Sequence, residues 1–289
     1  MTARLRRWGL GALGVVVFAA LWEAYKAFGR AVNDHVFGWR LPAHTDDASM
    51  PHLSTILGKF GAEEVRGNPR TVGSSVLSGS WFTLRMAATG LVLGLIVGMA
   101  LAVFMCRFRL VQRAWLPYVV LSQTVPLIAL APLIVGWGNS LKLGPVEWQP
   151  WMSVTAMSGY LAFFPIAVGA LRGLQSPKAQ SLELMDSYAA SWTQTLLKLR
   201  LPASVPYLMP AVKLAAAASV VGAIVAEISA GVSGGVGRLI LDYFQKATGD
   251  PAQVFTAFLG AAALGLLVAG AVNALELVLT RHRPKEAFE

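Results

Sequence analysis

The stretch LVLGLIVGMALAVFM, residues 91–105, holds no charged residue, and comparable apolar runs recur along the chain. Their length of about 20 residues is what a helix rising 1.5 Å per residue needs to cross the hydrocarbon core of a bilayer. A soluble core helix would interleave polar positions at the helical period, and these runs do not. With 55% of residues hydrophobic and 13% charged, the chain reads as an all-α, polytopic membrane protein. Six transmembrane helices can be drawn, over residues 10–28, 81–105, 114–137, 151–171, 209–228 and 252–280. The first has no small-residue cleavage site before Trp22, so it reads as a membrane helix rather than a cleaved signal.

The formal charge of +9 raises the question of a nucleic-acid partner, and the placement of the charges answers it. Arg4, Arg6 and Arg7, then Arg107, Arg109 and Arg113, then Arg172, Lys178, Lys198, Arg200 and Lys213, then Arg281, Arg283 and Lys285 all fall on one side of the drawn spans. The positive-inside rule makes that side cytoplasmic, with both termini there. Topology thereby accounts for the basic balance, and no nucleic acid is needed. The expected organisation is an N-terminal transmembrane helix (1–29), an extracytoplasmic loop (30–80), a five-helix core (81–280) with a cytoplasmic loop at 173–208, and a cytoplasmic tail (281–289). Within the outer loop, Leu53, Ile56, Leu57 and Phe60 share one helical face. They predict an amphipathic helix that either packs on neighbouring helices or docks a partner.

The spans differ in chemistry. Gly90, Gly94 and Gly98 recur every fourth residue, a smooth face suited to close helix packing or to lining a groove. The third span holds Pro117, Pro126 and Pro132 beside Ser122, Gln123 and Thr124. A kink is expected there, either structural or part of a translocation path. Arg85 and Glu227 both fall toward the outer face and are expected either to pair or to snorkel to the interface. Glu23 and Glu276 receive no role.

Catalytic signatures are missing. No GxxxxGK[ST] phosphate loop occurs; His35, His44, His52 and His282 form no ligand spacing; Cys106 is the single cysteine. GVSGGVGR (231–238) reads as a re-entrant or connecting turn. The chain is therefore expected to be no enzyme and to bind no cofactor itself; energy from ATP would require a partner that holds ATP and Mg2+. A self-sufficient secondary transporter or channel is the competing class, and it would show paired mid-membrane acids or broken helices repeated in both halves.

The most informative stretch is ELMDSYAASWTQTLLKLRLPASVP (183–206), too polar for lipid. Ser176-Pro177 predicts a helix start, Ser191-Trp192-Thr193-Gln194 a capping box, and the pair Ala189 and Ala190 a bend between two short helices. Pro202, Pro206 and Pro210 predict a break before the fifth span. Met185, Tyr188, Trp192, Leu196 and Leu199 recur at helical spacing, to be buried either on the chain's own helices or in a groove of a soluble partner.

This stretch resembles the cytoplasmic "EAA" signature of permease subunits of ABC importers. The pattern falls on Glu183, Ala190, Leu196, Leu199, Leu201, Pro202 and Pro206, with Leu184 and Met185 in place of its two alanines and Ala189 in place of its glycine. QTVPLIALAPLIVGWG, PYLMPAVKLA and VAEISAG are similar to further segments of the branch that imports nitrate, taurine, sulfonates and thiamine or riboflavin precursors. The resemblance implies a type I ABC importer permease-like fold that works with a second copy of the permease, two ABC ATPase subunits and an extracytoplasmic substrate-binding protein. It also implies that Glu183, Ala189, Ala190, Ser191, Trp192, Thr193, Gln194, Leu196, Leu199, Pro202 and Pro206 couple to the ATPases. Arg85, Gly90, Gly94, Gly98, Gln123, Thr124, Pro126 and Glu227 would shape the pathway or the helix packing around it.

Overall fold

The computed structural model describes residues 2–32, 34–36, 39–40, 44–65, 67, 69–140, 142–143, 146–246 and 249–280; the tail 281–289, with Arg281, His282, Arg283 and Lys285, lies outside them, as do the side chains of residues 2–8 and His35. In chain order the elements are α1 (Thr2–Ala31), β1 (His35–Val36), β2 (Trp39–Arg40), α2 (Leu53–Gly58), α3 (Val72–Arg107), α4 (Arg109–Leu121), α5 (Leu127–Ser140), β3 (Lys142–Leu143), β4 (Val146–Glu147), α6 (Pro150–Leu174), α7 (Ala179–Ser187), α8 (Trp192–Thr195), α9 (Leu201–Ser229), α10 (Val236–Gln245) and α11 (Pro251–Thr280). The strands form two small antiparallel hairpins, with Val36 opposite Trp39 and Leu143 opposite Val146. Apart from an isolated antiparallel bridge between Glu63 and Thr71, everything else of regular structure among the described residues is helical.

Five helical runs among the described residues are long and apolar enough to cross a membrane: Gly9–Ala31, Val72–Arg107, Pro150–Leu174, Trp192–Ser229 and Pro251–Val278. A further pair of helices, Arg109–Thr124 and Leu127–Gly138, is apolar enough only when taken together and is bent by 103° at the break between them, so the pair forms either a broken span or a re-entrant loop. The expected kink in the third span is thus a full break, and its cause is local. Val125 precedes Pro126, whose ring disfavours the helical region for the residue before it, and Val125 is extended at φ −70° and ψ 126°. Pro117 and Pro132 lie inside α4 and α5 without ending them.

The chain divides into two compact units, residues 1–77 with 239–260 and residues 78–238 with 261–289. In the first, the C-terminal part of α1 clamps the loop after it. Trp22 Nε1 donates to the Pro51 carbonyl at 3.1 Å; Glu23 accepts from the Leu53 amide and pairs with His52, both at 2.8 Å. The fully buried Lys26 meets Asp47 at 2.6 Å and the Met50 carbonyl, and Arg30 reaches Asp47 at 2.7 Å. Hydrogen bonding from the Lys26 ammonium is the main reason the Asp47 carboxyl lies below the usual carboxylate range. The helix expected in the outer loop is shorter than its apolar spacing implied: α2 tightens into a 3-10 turn at Lys59–Gly61, Ile56 is buried, and Leu57 points outward at 62% exposure. The tightening brings Lys59 within 2.5 Å of Asp250 and stacks Gly73 against the Phe60 carbonyl.

In the second unit α6 is the central helix, packed by small residues on two sides. Toward α3, a Cβ added to Gly94 would lie 2.8 Å from Ala162 Cβ and 2.9 Å from the Gly159 carbonyl; at Gly98 it would lie 2.7 Å from the Phe163 carbonyl, and at Gly90 it would collide with Ser158. Toward α9, Gly173 faces Ser204 and Gly169 faces Ala211, while Gly222 of α9 faces the Met157 carbonyl. Lipid tails give no hydrophobic drive for helix association, so close backbone approach has to supply the dispersion energy. Lys213 of α9 and Glu276 of α11, a residue without an expected role, form an ion pair of 2.5 Å.

Gly94→Ala is expected to lower the thermal stability of the purified protein, at a cost of about 1 to 3 kcal/mol for overpacking. Gly265→Ala, where nothing lies within 4 Å of the added Cβ, is expected to cost nothing, and paired melting curves in one detergent compare the two directly.

Candidate functional site

Residues 175–200 link α6 to α9 by an elbow whose shape is dictated by its caps. The first short helix starts later than Ser176-Pro177 implied. Ser176 donates its hydroxyl to the Gly173 carbonyl at 2.7 Å, closing α6, and Lys178 is the N-cap of α7 without a side-chain bond. At its other end α7 closes with a Schellman pattern. The Ala190 amide donates to the Met185 carbonyl at 3.0 Å and the Ala189 amide to the Asp186 carbonyl at 2.9 Å. This closure requires a left-handed residue, and Ala189 supplies it at φ 50°. Alanine pays about 1–2 kcal/mol there that glycine would not. The elbow is therefore made with the methyl group present, at the cost of that strain.

Two residues on, Ser191 and Gln194 form the complete capping box: the Gln194 amide donates to Ser191 Oγ at 3.3 Å, and the Ser191 amide donates to Gln194 Oε1 at 2.8 Å. The break expected at Pro202, Pro206 and Pro210 is not found; α8 continues through a π turn at Leu196–Arg200 into α9. A proline ring strikes the carbonyl four residues earlier, and the widened turn lies immediately before Pro202, where it can absorb that clash. Pro206 and Pro210 remain inside α9.

The elbow has a built-in face and a free face. Leu196 is buried in a cluster with Met105, Ala170, Leu171 and Leu174, and Trp192 packs against it, with the Arg107 guanidinium 5.1 Å over its ring. Arg200 donates to the Leu174 carbonyl at 2.8 Å. These contacts fix α8 to the adjoining ends of α3 and α6. Elsewhere on the elbow Leu184, Tyr188 and Leu197 are 56%, 78% and 58% exposed, and Glu183, Thr193 and Gln194 are exposed as well. The apolar spacing therefore divides: Trp192 and Leu196 pack on the chain's own helices, Tyr188 is exposed, and Met185 and Leu199 are half-buried.

At the other end of α9 a second cluster forms around Glu227, which does not pair with Arg85. Its fully buried carboxylate accepts from Thr83 Oγ1 at 2.8 Å and from the Gly237 amide at 2.8 Å, while the Val236 amide donates to Thr83 Oγ1 at 3.0 Å. Arg85, two residues from Thr83, points away and is exposed. GVSGGVGR is the means of this arrangement. Gly231 and Gly234 turn the chain at φ 66° and 107°, and a Cβ at Gly235 would overlap the Glu227 carboxylate. The turn delivers the N-terminus of α10 onto that carboxylate, where a negative charge is favoured. Helix α10 was not foreseen, although Val236, Ile240 and Tyr243, all buried, carry the helical period that could have revealed it.

The remaining expected pathway residues separate into two groups. Gly90, Gly94 and Gly98 face the backbone of α6. Gln123, Thr124 and Pro126 sit exposed at the break between α4 and α5, where the Tyr160 hydroxyl donates to the Ser122 carbonyl and Thr124 Oγ1 to the Leu121 carbonyl at 2.8 Å. Carbonyls freed by the break thus find hydroxyl partners.

Residues 90–281 match the protein family described as binding-protein-dependent transport system inner membrane component. The chain is 35% identical over 133 residues to the formylaminopyrimidine transport permease protein ThiX of Halalkalibacterium halodurans, covering 46% of this chain and 49% of that protein. It is 31% identical over 135 residues to a probable ABC transporter permease protein of Haemophilus influenzae, covering 46% and 50%. These alignments span about half the length of each relative. To the putative aliphatic sulfonates transport permease protein SsuC of Bacillus subtilis it is 26% identical over 213 residues, 72% of this chain and 73% of that one. Among solved structures, an amino acid ABC transporter crystallised with histidines superposes with a TM-score of 0.55 at 17% identity, over 72% of this chain and 94% of that chain. The shared feature at that identity is the fold.

Ala189→Gly is expected to preserve the elbow and slow amide exchange across residues 188–194, whereas Ala189→Val, β-branched at positive φ, is expected to speed it. Glu227→Ala leaves the buried Gly237 amide without its acceptor, while the Thr83 hydroxyl keeps the Gly79 carbonyl at 3.1 Å. A loss of about 1–3 kcal/mol follows, read as a lowered melting temperature, with exchange rising first at the amides of Val236 and Gly237.

Proposed function

The chain belongs to the binding-protein-dependent transport system inner membrane component family of ABC transporter permeases, and from that premise we propose that it forms the translocation pathway of an ATP-driven importer in the plasma (inner) membrane. It works with a second copy of itself, two ABC ATPase subunits that hold ATP and Mg2+, and an extracytoplasmic binding protein that delivers a small solute. The names of its relatives support two solute classes, thiamine-precursor pyrimidines and aliphatic sulfonates. Both termini and the elbow at 175–200 are assigned to the cytoplasm by the basic clusters around them.

The observation that carries this reading is the elbow. Its inner face is bonded to the ends of α3 and α6, its outer face leaves Leu184, Tyr188 and Leu197 exposed, and its second helix runs without interruption into α9. An ATPase that closes on ATP and holds the exposed face moves a lever already joined to a membrane span, which switches access from one side to the other. Glu183, Thr193 and Gln194 rim that face and offer polar contacts to the ATPase. Glu227 and Thr83 hold the outer end of the same helix, so displacement at the elbow reaches α10.

Tyr188→Ala and Leu184→Asp, both at exposed positions, are expected to leave the chain folded and to abolish co-purification of the ATPase subunit that works with it, along with ATP-dependent uptake in vesicles. Uptake by vesicles holding this chain and no ATPase would overturn the reading in favour of a self-sufficient transporter or channel.

A further inference from the structure

Resting on the importer reading above, we propose that Arg107 and Arg200 are positioning residues for transport, which brace the elbow to α3 and α6 so that motion imposed on the elbow carries both helices along with α9. Topology accounts for the charge of these two residues but not for what they touch. Arg107 is the last residue of α3, and its guanidinium lies 5.1 Å over the Trp192 ring and 5.8 Å over that of Phe108. Arg200, the last residue of the π turn, reaches back the other way. Its Nη1 donates to the carbonyl of Leu174, the final residue of α6, at 2.8 Å and lies 3.6 Å from Cys106 Sγ of α3. A cation at a helix C-terminus meets carbonyls without intrahelical partners and the negative end of the dipole.

Spacing turns these contacts into a brace. Trp192, Leu196 and Arg200 follow one another at intervals of four, so they lie along one side of the helical run. Leu196, in the middle, is buried among Met105, Ala170, Leu171 and Leu174. Apolar contact has no direction, and alone it lets the run rock about Leu196. Contacts on either side of that point, one to α3 and one to the end of α6, oppose the rocking. They differ in stringency: a cation over a ring tolerates a shift in position, whereas the hydrogen bond to Leu174 needs its angle. Arg109 and Arg113 carry the same charge close by, yet both are exposed and make neither an ion pair nor a ring contact among the described residues. That contrast separates the contact from the charge.

The test uses the full chain in complex with the ATPase subunits that work with it, in lipid nanodiscs, and reads amide hydrogen exchange with and without ATP and vanadate. In the unmutated complex the nucleotide is expected to change exchange at residues 188–200 and also at 101–107 and 171–176. Arg107→Gln is expected to keep the change at 188–200 and to shrink that at 101–107 about fivefold, whereas Arg107→Lys and Trp192→Phe, which keep a cation and a ring, preserve it. Arg200→Gln is expected to shrink the change at 171–176, and Arg109→Gln to alter nothing. Three results overturn the proposal: undiminished changes at both helix ends in R107Q/R200Q; an equal loss in Arg109→Gln, which marks an effect of charge alone; or loss of the change at 188–200 itself in Arg107→Gln, which marks support of the ATPase seat. Absence of any response at 188–200 in the unmutated complex is distinct from these and overturns the importer reading, and the brace with it.

Discussion

Backbone-to-backbone approach along α6 is the constraint on which the second unit depends. A helix in lipid gains nothing by hiding Leu from Leu, so it must find partners that it can touch more closely than a lipid tail can. Gly90, Gly94 and Gly98 of α3 meet Gly159 and its neighbours on one side of α6, and Ser204 and Ala211 of α9 meet Gly173 and Gly169 on another. With both neighbours seated on one helix at van der Waals distance, their ends are also fixed. The cluster of Met105, Leu174 and Leu196 and the Arg107–Trp192 contact are consequences of that placement.

The two ends of α9 are held by different kinds of force. At the elbow the anchors are mainly aromatic and aliphatic, with the Arg107 guanidinium over a ring and Arg200 donating to the Leu174 carbonyl. At the opposite end a buried carboxylate is satisfied by a hydroxyl and a helix N-terminus, with no ion-pair partner among the described residues. Apolar contacts tolerate sliding, whereas directional hydrogen bonds to a buried charge hold position or are lost. A helix mounted in this way is held more rigidly at its polar end than at its apolar one.

Much of this was legible in the sequence because lipid imposes simple rules. Apolar length gave the spans, the four-residue glycine period gave the α3 packing face, and Ser191 with Gln194 gave the second helix of the elbow. Errors arose where a local rule met a tertiary override. Pro202 predicted a break, but a proline constrains only the turn before it, and that turn could widen. Arg85 and Glu227 were the obvious ion pair by charge and depth, yet helical phase turns Thr83 rather than Arg85 toward Glu227, since two residues along a helix is about 200° of rotation. Helix α10 was hidden by the glycines before it, which suggested a loop and in fact make the turn that presents the helix. The clamp of Glu23, Lys26 and His52 had no local signature because its partners lie more than 20 residues away.

The π turn at Leu196–Arg200 has a consequence for the chain's tolerance of length. A regular α-helix from Trp192 through Ser229 would lock every side chain into one angular series at about 100° per residue. Trp192 and Leu196 must meet the ends of α3 and α6 while Ser204 and Ala211 meet the glycines of α6, and the wide turn takes up one residue between these two sets. It thus works as a phase corrector. A one-residue deletion inside it can restore the ordinary helix and leave both sets facing their partners, whereas the same deletion a turn later rotates one set off its seat. Length variation along this helix is therefore confined to a window of five residues.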